Sequence, residues 1–249
     1  MPKLTIVAGP NGAGKSTAAP ALLLRGTPYV NADEIAKMLD GPGKDLQASR
    51  LLLETWDALS GQQANFAIET TLASRTLAPK VSALKEAGYT FYLYFLWLPD
   101  VELSIARVAE RVRNGGHNIP EEIIRRRYLL GLRNFFDIYQ PLADRWTFYN
   151  NVVPTRPRVV AKGRYTNVER IRDTALWEQV RGIQTMDDSR VRESSNADFY
   201  DEEATDKRLR AVFRTALLEH KRNNNPICTW HDGKVVWIQP DDIIIDDED

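Results

Sequence analysis

Gly9-Pro10-Asn11-Gly12-Ala13-Gly14-Lys15-Ser16 is the stretch that decides the fold. It follows the apolar run Lys3-Leu4-Thr5-Ile6-Val7-Ala8, which reads as a buried strand, and it leads into Thr17 and a series of alanines and leucines that read as a helix over 15–24. Strand, glycine-rich turn and helix in that order make a P-loop. Glycines let successive backbone N–H groups turn inward around phosphate oxygens. Gly9, Asn11, Gly12, Ala13, Gly14, Lys15, Ser16 and Thr17 are therefore the expected nucleotide-binding residues. Lys15 places a charge near the β- and γ-phosphates, and the Ser16 hydroxyl is the expected ligand to Mg²⁺.

Outward from this turn, strands and helices alternate. Tyr29-Val30 reads as a short strand ending at Asn31-Ala32-Asp33, and a helix begins near Asp33 and stops before Gly41-Pro42-Gly43. Helical periodicity runs over 45–60 through Leu51, Leu52, Trp56 and Leu59. Phe66-Ala67-Ile68 is the next strand, followed by a helix over 75–87 that Gly88 closes. Tyr89 to Leu98 is nearly all apolar, as suits a strand covered on both faces. A helix over 101–113 carries Arg107, Arg111 and Arg113. Asn114-Gly115-Gly116-His117 breaks it, and Pro120-Glu121-Glu122 opens a long helix. Trp146 to Tyr149 reads as a last core strand. The alternation predicts an α/β protein of the P-loop NTPase class: a mostly parallel sheet with helices on both faces. Ligands in such sheets bind at the carboxyl ends of the strands. The P-loop, Asp33 and Glu69 each follow a strand directly, so all three are expected on one edge.

Bulk properties narrow the function. The chain has 249 residues, 43% of them hydrophobic, enough for one substantial core and a small appendage. The formal net charge of −1 argues against nucleic acid held by bulk charge. One cysteine, Cys228, excludes an internal disulfide framework, and His117, His220, His231 and Cys228 lack metal-ligand spacing. The N-terminus lacks the pattern of a signal peptide, and Tyr89 to Leu98 is about half the length of a membrane helix. A soluble cytoplasmic protein without membrane contact is expected.

The domain expectation is a P-loop kinase domain over 1–185, a polar linker over 186–203 and a C-terminal module over 204–249. The module reads as an amphipathic helix, 204–222, then strands Ile227 to Trp230 and Lys234 to Ile238 flanking the turn His231-Asp232-Gly233, and an acidic tail.

A P-loop leaves the reaction open among small-molecule kinase, motor and signalling switch. Asp33 has two readings: an ordinary helix N-cap, or a general base that takes the proton of an attacking hydroxyl. Glu69 is the second metal candidate or a substrate ligand. Arg107 and Arg111 lie four apart, on one helical face, where forked guanidinium groups can close over a transferring phosphate. Leu59-Ser60-Gly61-Gln62-Gln63 has the look of an ABC-type ATPase signature but reads better as a helix end with a glycine stop.

Taken together, Ala8 to Thr17, Asn31-Ala32-Asp33-Glu34-Ile35 and Phe66-Ala67-Ile68-Glu69-Thr70-Thr71-Leu72 resemble the zeta-toxin family of P-loop kinases, in its branch labelled predicted ABC-type ATPase. Arg107 to Arg111, Gly115 to Pro120, Ile124 to Tyr128 and Ala143-Asp144 to Asn150 continue the likeness, which spans roughly residues 3–160. The resemblance implies a phosphotransferase using ATP or GTP with Mg²⁺, and a hydroxyl of UDP-N-acetylglucosamine as acceptor. It implies Lys15 on the phosphates, Asp33 as base, and Glu69 on substrate. Arg107 or Arg111 would be the first lid arginine. The chain departs from the pattern at Gly115-Gly116-His117, where a second lid arginine is expected. Arg125, Arg126 and Arg127 are the replacements at hand, and spacing does not choose among them. Arg127, His117, Thr70 and Thr71 complete the expected substrate-binding set with Asp33 and Glu69. The resemblance also implies a toxin with an antitoxin partner, or with the C-terminal module as an internal one. Kinases of other hydroxyls (a nucleoside, a polynucleotide end, an antibiotic) and a nucleotide-dependent regulatory ATPase are the rival readings.

Overall fold

The computed structural model describes residues 1–39, 41, 43–116, 118–184, 218, 221, 222, 224, 227–231 and 234–242. The chain divides into two compact units, Met1–Ser194 and Ser195–Asp249.

The first unit is built on a seven-stranded sheet. Its strands are β1 (Lys3–Ala8), β2 (Tyr29–Val30), β3 (Phe66–Thr70), β4 (Thr90–Trp97), β5 (Arg145–Asn150), β6 (Arg158–Arg164) and β7 (Asn167–Ile171). They lie in the order β2-β3-β1-β4-β5-β6-β7. The first five run parallel; β6 and β7 are antiparallel additions at one side. The mostly parallel α/β architecture is as expected. Trp146 to Tyr149 is not the last strand, however. The hairpin of β6 and β7 extends the sheet beyond it, and β7 is exposed along its whole length. A strand open to solvent on both faces has no alternation of apolar and polar residues to betray it.

The helices are α1 (Lys15–Leu22), α2 (Ala32–Lys37), α3 (Lys44–Gly61), α4 (Ala78–Glu86), α5 (Val101–Arg113), α6 (Glu121–Asn134), α7 (Gln140–Leu142) and α8 (Thr174–Gln184). A π-helical turn, Phe135–Tyr139, joins α6 to α7. The alternating side chains of β1 show how the layers form. Leu4, Ile6 and Ala8 enter the large core with Trp56 of α3, Val81 of α4, Leu132 of α6 and Trp177 of α8. Val7 faces the other way, with Ala18 of α1 and Leu96. Helices thus cover both faces. Trp56, Trp97, Trp146 and Trp177 are all buried. Trp146 and Trp177 stack with centroids 5.6 Å apart, so these indoles serve packing.

The end of the sheet opposite the P-loop is pinned by Asp144. Its Oδ1 accepts from Lys85 Nζ at 2.8 Å and from the Tyr165 hydroxyl at 2.5 Å, and its Oδ2 accepts from the Phe91 N–H at 2.7 Å. Burial pushes the carboxyl's pKa up, but the bonds from Lys85, Tyr165 and Phe91 outweigh it and hold the group below its ordinary 3.8. Asp144→Asn should therefore cost about 2 kcal/mol at pH 7. A depressed carboxylate stabilises fully above its unfolded value and loses that contribution as pH falls through the folded value. The stability gap between wild type and variant, measured by urea unfolding, should close below pH 3.8. Equal gaps at neutral and acid pH would refute the assignment.

In the second unit, β8 (Ile227–His231) and β9 (Lys234–Ile238) pair antiparallel, with Ile227 opposite Ile238 and His231 opposite Lys234. The expected hairpin is present. A 3-10 turn, Pro240–Asp242, follows it. The polar linker over 186–203, most of the helix over 204–222, and the acidic tail over 246–249 lie outside the described residues. Among those described, no helix is long and apolar enough to cross a membrane.

Candidate functional site

The site begins where β1 ends. Gly9 has φ +141°, and a Cβ there would stand 2.0 Å from the Leu96 carbonyl oxygen, so the loop crosses β4 in direct backbone contact. Gly12 has φ +75°, and its Cβ would meet the Ser104 carbonyl oxygen at 2.6 Å. Only glycine satisfies both positions. The loop then enters α1, whose first-turn N–H groups at Lys15, Ser16 and Thr17 have no acceptor within the helix. Inward-turned amides at a helix N-terminus form a cradle for an anion. The residues present therefore fit a nucleotide's phosphates.

Lys15 is buried. Its Nζ donates to the Pro10 carbonyl at 3.0 Å and lies 3.7 Å from Glu69 Oε1. Burial, the largest influence, pulls the ammonium pKa below its ordinary value; Glu69 and then Asp33 oppose this, and Arg111 and Arg127 add to the fall. That set of influences describes the site. Two carboxylates and two guanidinium groups from four separate elements bear on one ammonium.

Glu69 is the penultimate residue of β3, beside the P-loop. Its Oε2 accepts from Ser16 Oγ at 2.8 Å, from Asn31 Nδ2 at 3.0 Å and from the Tyr29 hydroxyl. Burial and then the Glu69 charge push the Tyr29 phenol far above its ordinary pKa, so Tyr29 stays a donor. Ser16 Oγ and the Glu69 carboxylate are oxygen donors of the kind Mg²⁺ takes. Their adjacency fits them to hold it. Thr70 and Thr71 lie just beyond. Thr70 Oγ1 accepts from the Leu72 N–H at 3.1 Å and Thr71 Oγ1 from the Ala73 N–H at 3.4 Å. Their oxygens shape the turn after β3, while each hydroxyl keeps a proton to donate. The π-helical end of α6 holds that turn from behind: Asn134 Nδ2 donates to the Leu72 carbonyl at 2.7 Å and the Tyr139 hydroxyl to that of Ser74 at 2.9 Å.

Asp33 is not the helix cap. Asn31 caps α2, its side chain accepting from the Asp33 N–H at 2.8 Å. The Asp33 carboxylate is exposed and left to bear on the site. Arg107 is also placed differently from expectation. Its Nη1 donates to the carbonyls of Gly12 at 3.3 Å and Asn151 at 3.1 Å, and its Nη2 to Val152 at 2.5 Å. This guanidinium ties the P-loop to the segment after β5. Its burial lowers its pKa. Of the three arginines after the break, Arg125 is committed to Glu102 and Glu121, each at 2.6 Å. The charge of Arg127 bears on Lys15. His117 lies outside the described residues.

Sequence reasoning missed Tyr29, Asn31 and Asn151. Asn31 carried a signal: it is a residue of N-cap type two places before Asp33. Asn151, fully buried, donates through Nδ2 to the Ala13 carbonyl at 2.6 Å across 138 positions of sequence, and no local pattern marks it.

Comparison with known proteins bears on the family and the fold. A family model described as an AAA domain matches residues 4–128, half of the chain, from β1 to Tyr128 in α6. A protein of Haemophilus influenzae, named only as an uncharacterized protein, is 29% identical over 129 residues, which are 51% of this chain and 92% of that one. Among solved structures, AvrRxo1-ORF1:-ORF2 with ATP is similar at a TM-score of 0.58 and 18% identity, over 74% of this chain and 64% of that chain. The chain thus spans less than two thirds of that protein's length. AvrRxo1-ORF1:AvrRxo1-ORF2 with sulphate ions is similar at 0.59 and 16%, over 82% and 74% of the two chains. At such identities these structures show a common fold. With its P-loop, its parallel sheet and a matching model over residues 4–128, the chain belongs to the AAA domain family and has a P-loop, kinase-like fold.

Proposed function

We propose that this protein is a phosphotransferase of the zeta-toxin branch, moving the γ-phosphate of ATP or GTP to a hydroxyl of a UDP-sugar such as UDP-N-acetylglucosamine. One observation carries the reaction class. The charges of an exposed carboxylate, Asp33, and of two guanidinium groups, Arg111 and Arg127, bear on the buried P-loop lysine. A cradle built only to bind nucleotide needs no such carboxylate. The acceptor rests on the motifs around Asp33 and Glu69 that resemble the zeta toxins.

In this mechanism the α1 N-terminus and Lys15 hold the triphosphate. Asp33 takes the proton of the acceptor hydroxyl as the new P–O bond forms and the bond to the bridging β,γ-oxygen breaks. Arg111 and Arg127 offset the charge on the transferring phosphoryl group, and the nucleoside diphosphate leaves. Ser16 and Glu69 would hold Mg²⁺, which supplies further neutralisation of the phosphate oxygens when bound. AvrRxo1-ORF1 occurs in complex with AvrRxo1-ORF2. A protein partner for this chain, or its own residues 204–249 in that role, belongs to the same proposal.

The test is transfer from γ-labelled ATP and GTP to a panel of UDP-sugars, nucleosides, polynucleotide ends and aminoglycosides. Label on a UDP-sugar is expected. Label on another acceptor would move the substrate elsewhere, and label found only in inorganic phosphate would establish a hydrolytic ATPase instead. The toxin reading has its own check. Expression should arrest growth, and Asp33→Ala should relieve the arrest; equal arrest by both forms would reject it.

A further inference from the structure

We infer that Asn151 is a positioning residue for phosphate binding, shaping the P-loop from its outer side together with Arg107. The inference rests on the triphosphate-binding part of the proposed function and not on the acceptor.

Asn151 follows β5 directly and is held at both ends. Its N–H donates to the Trp97 carbonyl at 2.8 Å, fixing it to the end of β4. Its Nδ2 donates to the Ala13 carbonyl at 2.6 Å and sits 3.0 Å from where a Cβ on Gly14 would be. The side chain is fully buried. A trans peptide is planar, with its C=O and N–H pointing in opposite directions. Drawing the Ala13 carbonyl toward Asn151 therefore drives the N–H of Gly14 the other way, into the loop. The loop's interior is marked by the Pro10 carbonyl, which accepts from both Lys15 Nζ at 3.0 Å and the Ala13 N–H at 3.1 Å.

Arg107 performs the complementary task one peptide earlier. It draws the Gly12 carbonyl outward, leaving the Ala13 N–H to close the turn on Pro10. The same guanidinium binds the carbonyls of Asn151 and Val152. Three carbonyls from two chain segments share one cation, so the P-loop and the segment after β5 are fixed as a unit. Amides held in place before a ligand arrives lose less entropy when it binds. Neither side chain needs to touch the nucleotide for this effect.

The prediction separates phosphate from nucleoside. Asn151→Leu keeps the branched shape and removes the donor. Its Kd for Mg·tripolyphosphate, measured by calorimetry, should rise about tenfold or more. Its Kd for Mg·ATP should rise by the same factor, because the lost contribution concerns phosphate alone. A rise for ATP with tripolyphosphate unchanged would mean that Asn151 reads the nucleoside, and would overturn the inference. Unchanged values for both ligands would overturn it as well. Arg107→Met provides the second route should Asn151→Leu fail to fold, and equal factors for the two ligands are again expected. Wild-type protein that binds neither ligand would instead remove the proposed function itself.

Discussion

Replacing Asp33 by Ala will lower phosphoryl transfer by about three orders of magnitude, within the range a general base contributes, while Mg·ATP affinity changes less than about twofold. The separation follows from how α2 is built. The helix is capped by Asn31, and Asp33 contributes only its backbone N–H to that cap, which alanine retains. The variant loses one acidic group from the first turn of a short helix, a cost of about 0.3–1 kcal/mol. The carboxylate is exposed, so its removal leaves no cavity. What is lost is a carboxylate whose charge bears on Lys15, whereas Glu69 is occupied by Ser16, Tyr29 and Asn31. Single-turnover transfer and nucleotide titration of the same preparation make the test. Transfer at the wild-type rate would remove Asp33 as base. Loss of nucleotide binding in parallel with transfer would show that it supports the cradle instead.

The parts of this molecule legible in sequence are those whose physics is local. The P-loop combines glycines, Lys15 and Ser16 in consecutive positions. Strands β1 and β4 are continuous apolar runs because both faces are covered. Asp33 and Glu69 could be placed near one edge because Asp33 comes just after β2 and Glu69 lies in the last residues of β3, in a sheet whose carboxyl ends gather ligands. Strand β7 could not, since it meets no core, and β6 buries only Val160, Ala161 and Gly163 without a strict alternation. Helix α8 does carry a local signal, since its buried residues Leu176, Trp177 and Val180 lie at helical spacing.

Arg107 shows the limit of helical periodicity. It shares a face with Arg111, but residues four apart lie a full turn from each other along the axis. That distance suffices for one guanidinium to reach the back of the P-loop and for the other to act on Lys15. Among Arg125, Arg126 and Arg127, helical spacing pairs Arg125 with Glu121, but its second partner, Glu102, comes from α5 and has no local signal.

Lys15→Met is expected to differ from Asp33→Ala by losing both steps. Transfer should fall by about 10³, as for removal of a charge aimed at a developing anion, and Mg·ATP binding should weaken about tenfold or more. The chain itself should fold. Removing the ammonium leaves the Glu69 carboxylate without its buried partner, which lowers stability. Glu69 keeps its bonds from Ser16, Asn31 and Tyr29. Lys15→Arg should not restore activity, because the cradle holds Nζ between Pro10 and Glu69 at 3.0 and 3.7 Å, and a planar guanidinium is not a point charge. The wild-type pH profile offers an independent reading. Burial lowers the Lys15 pKa below 10.5, and the ammonium is the form that binds phosphate. The alkaline fall of kcat/KM, which reports the free enzyme, should therefore begin below the pH at which an ordinary lysine titrates. Near wild-type transfer by Lys15→Met, with unchanged nucleotide affinity, would mean that phosphate is held by the backbone cradle alone and that Lys15 serves only to balance Glu69.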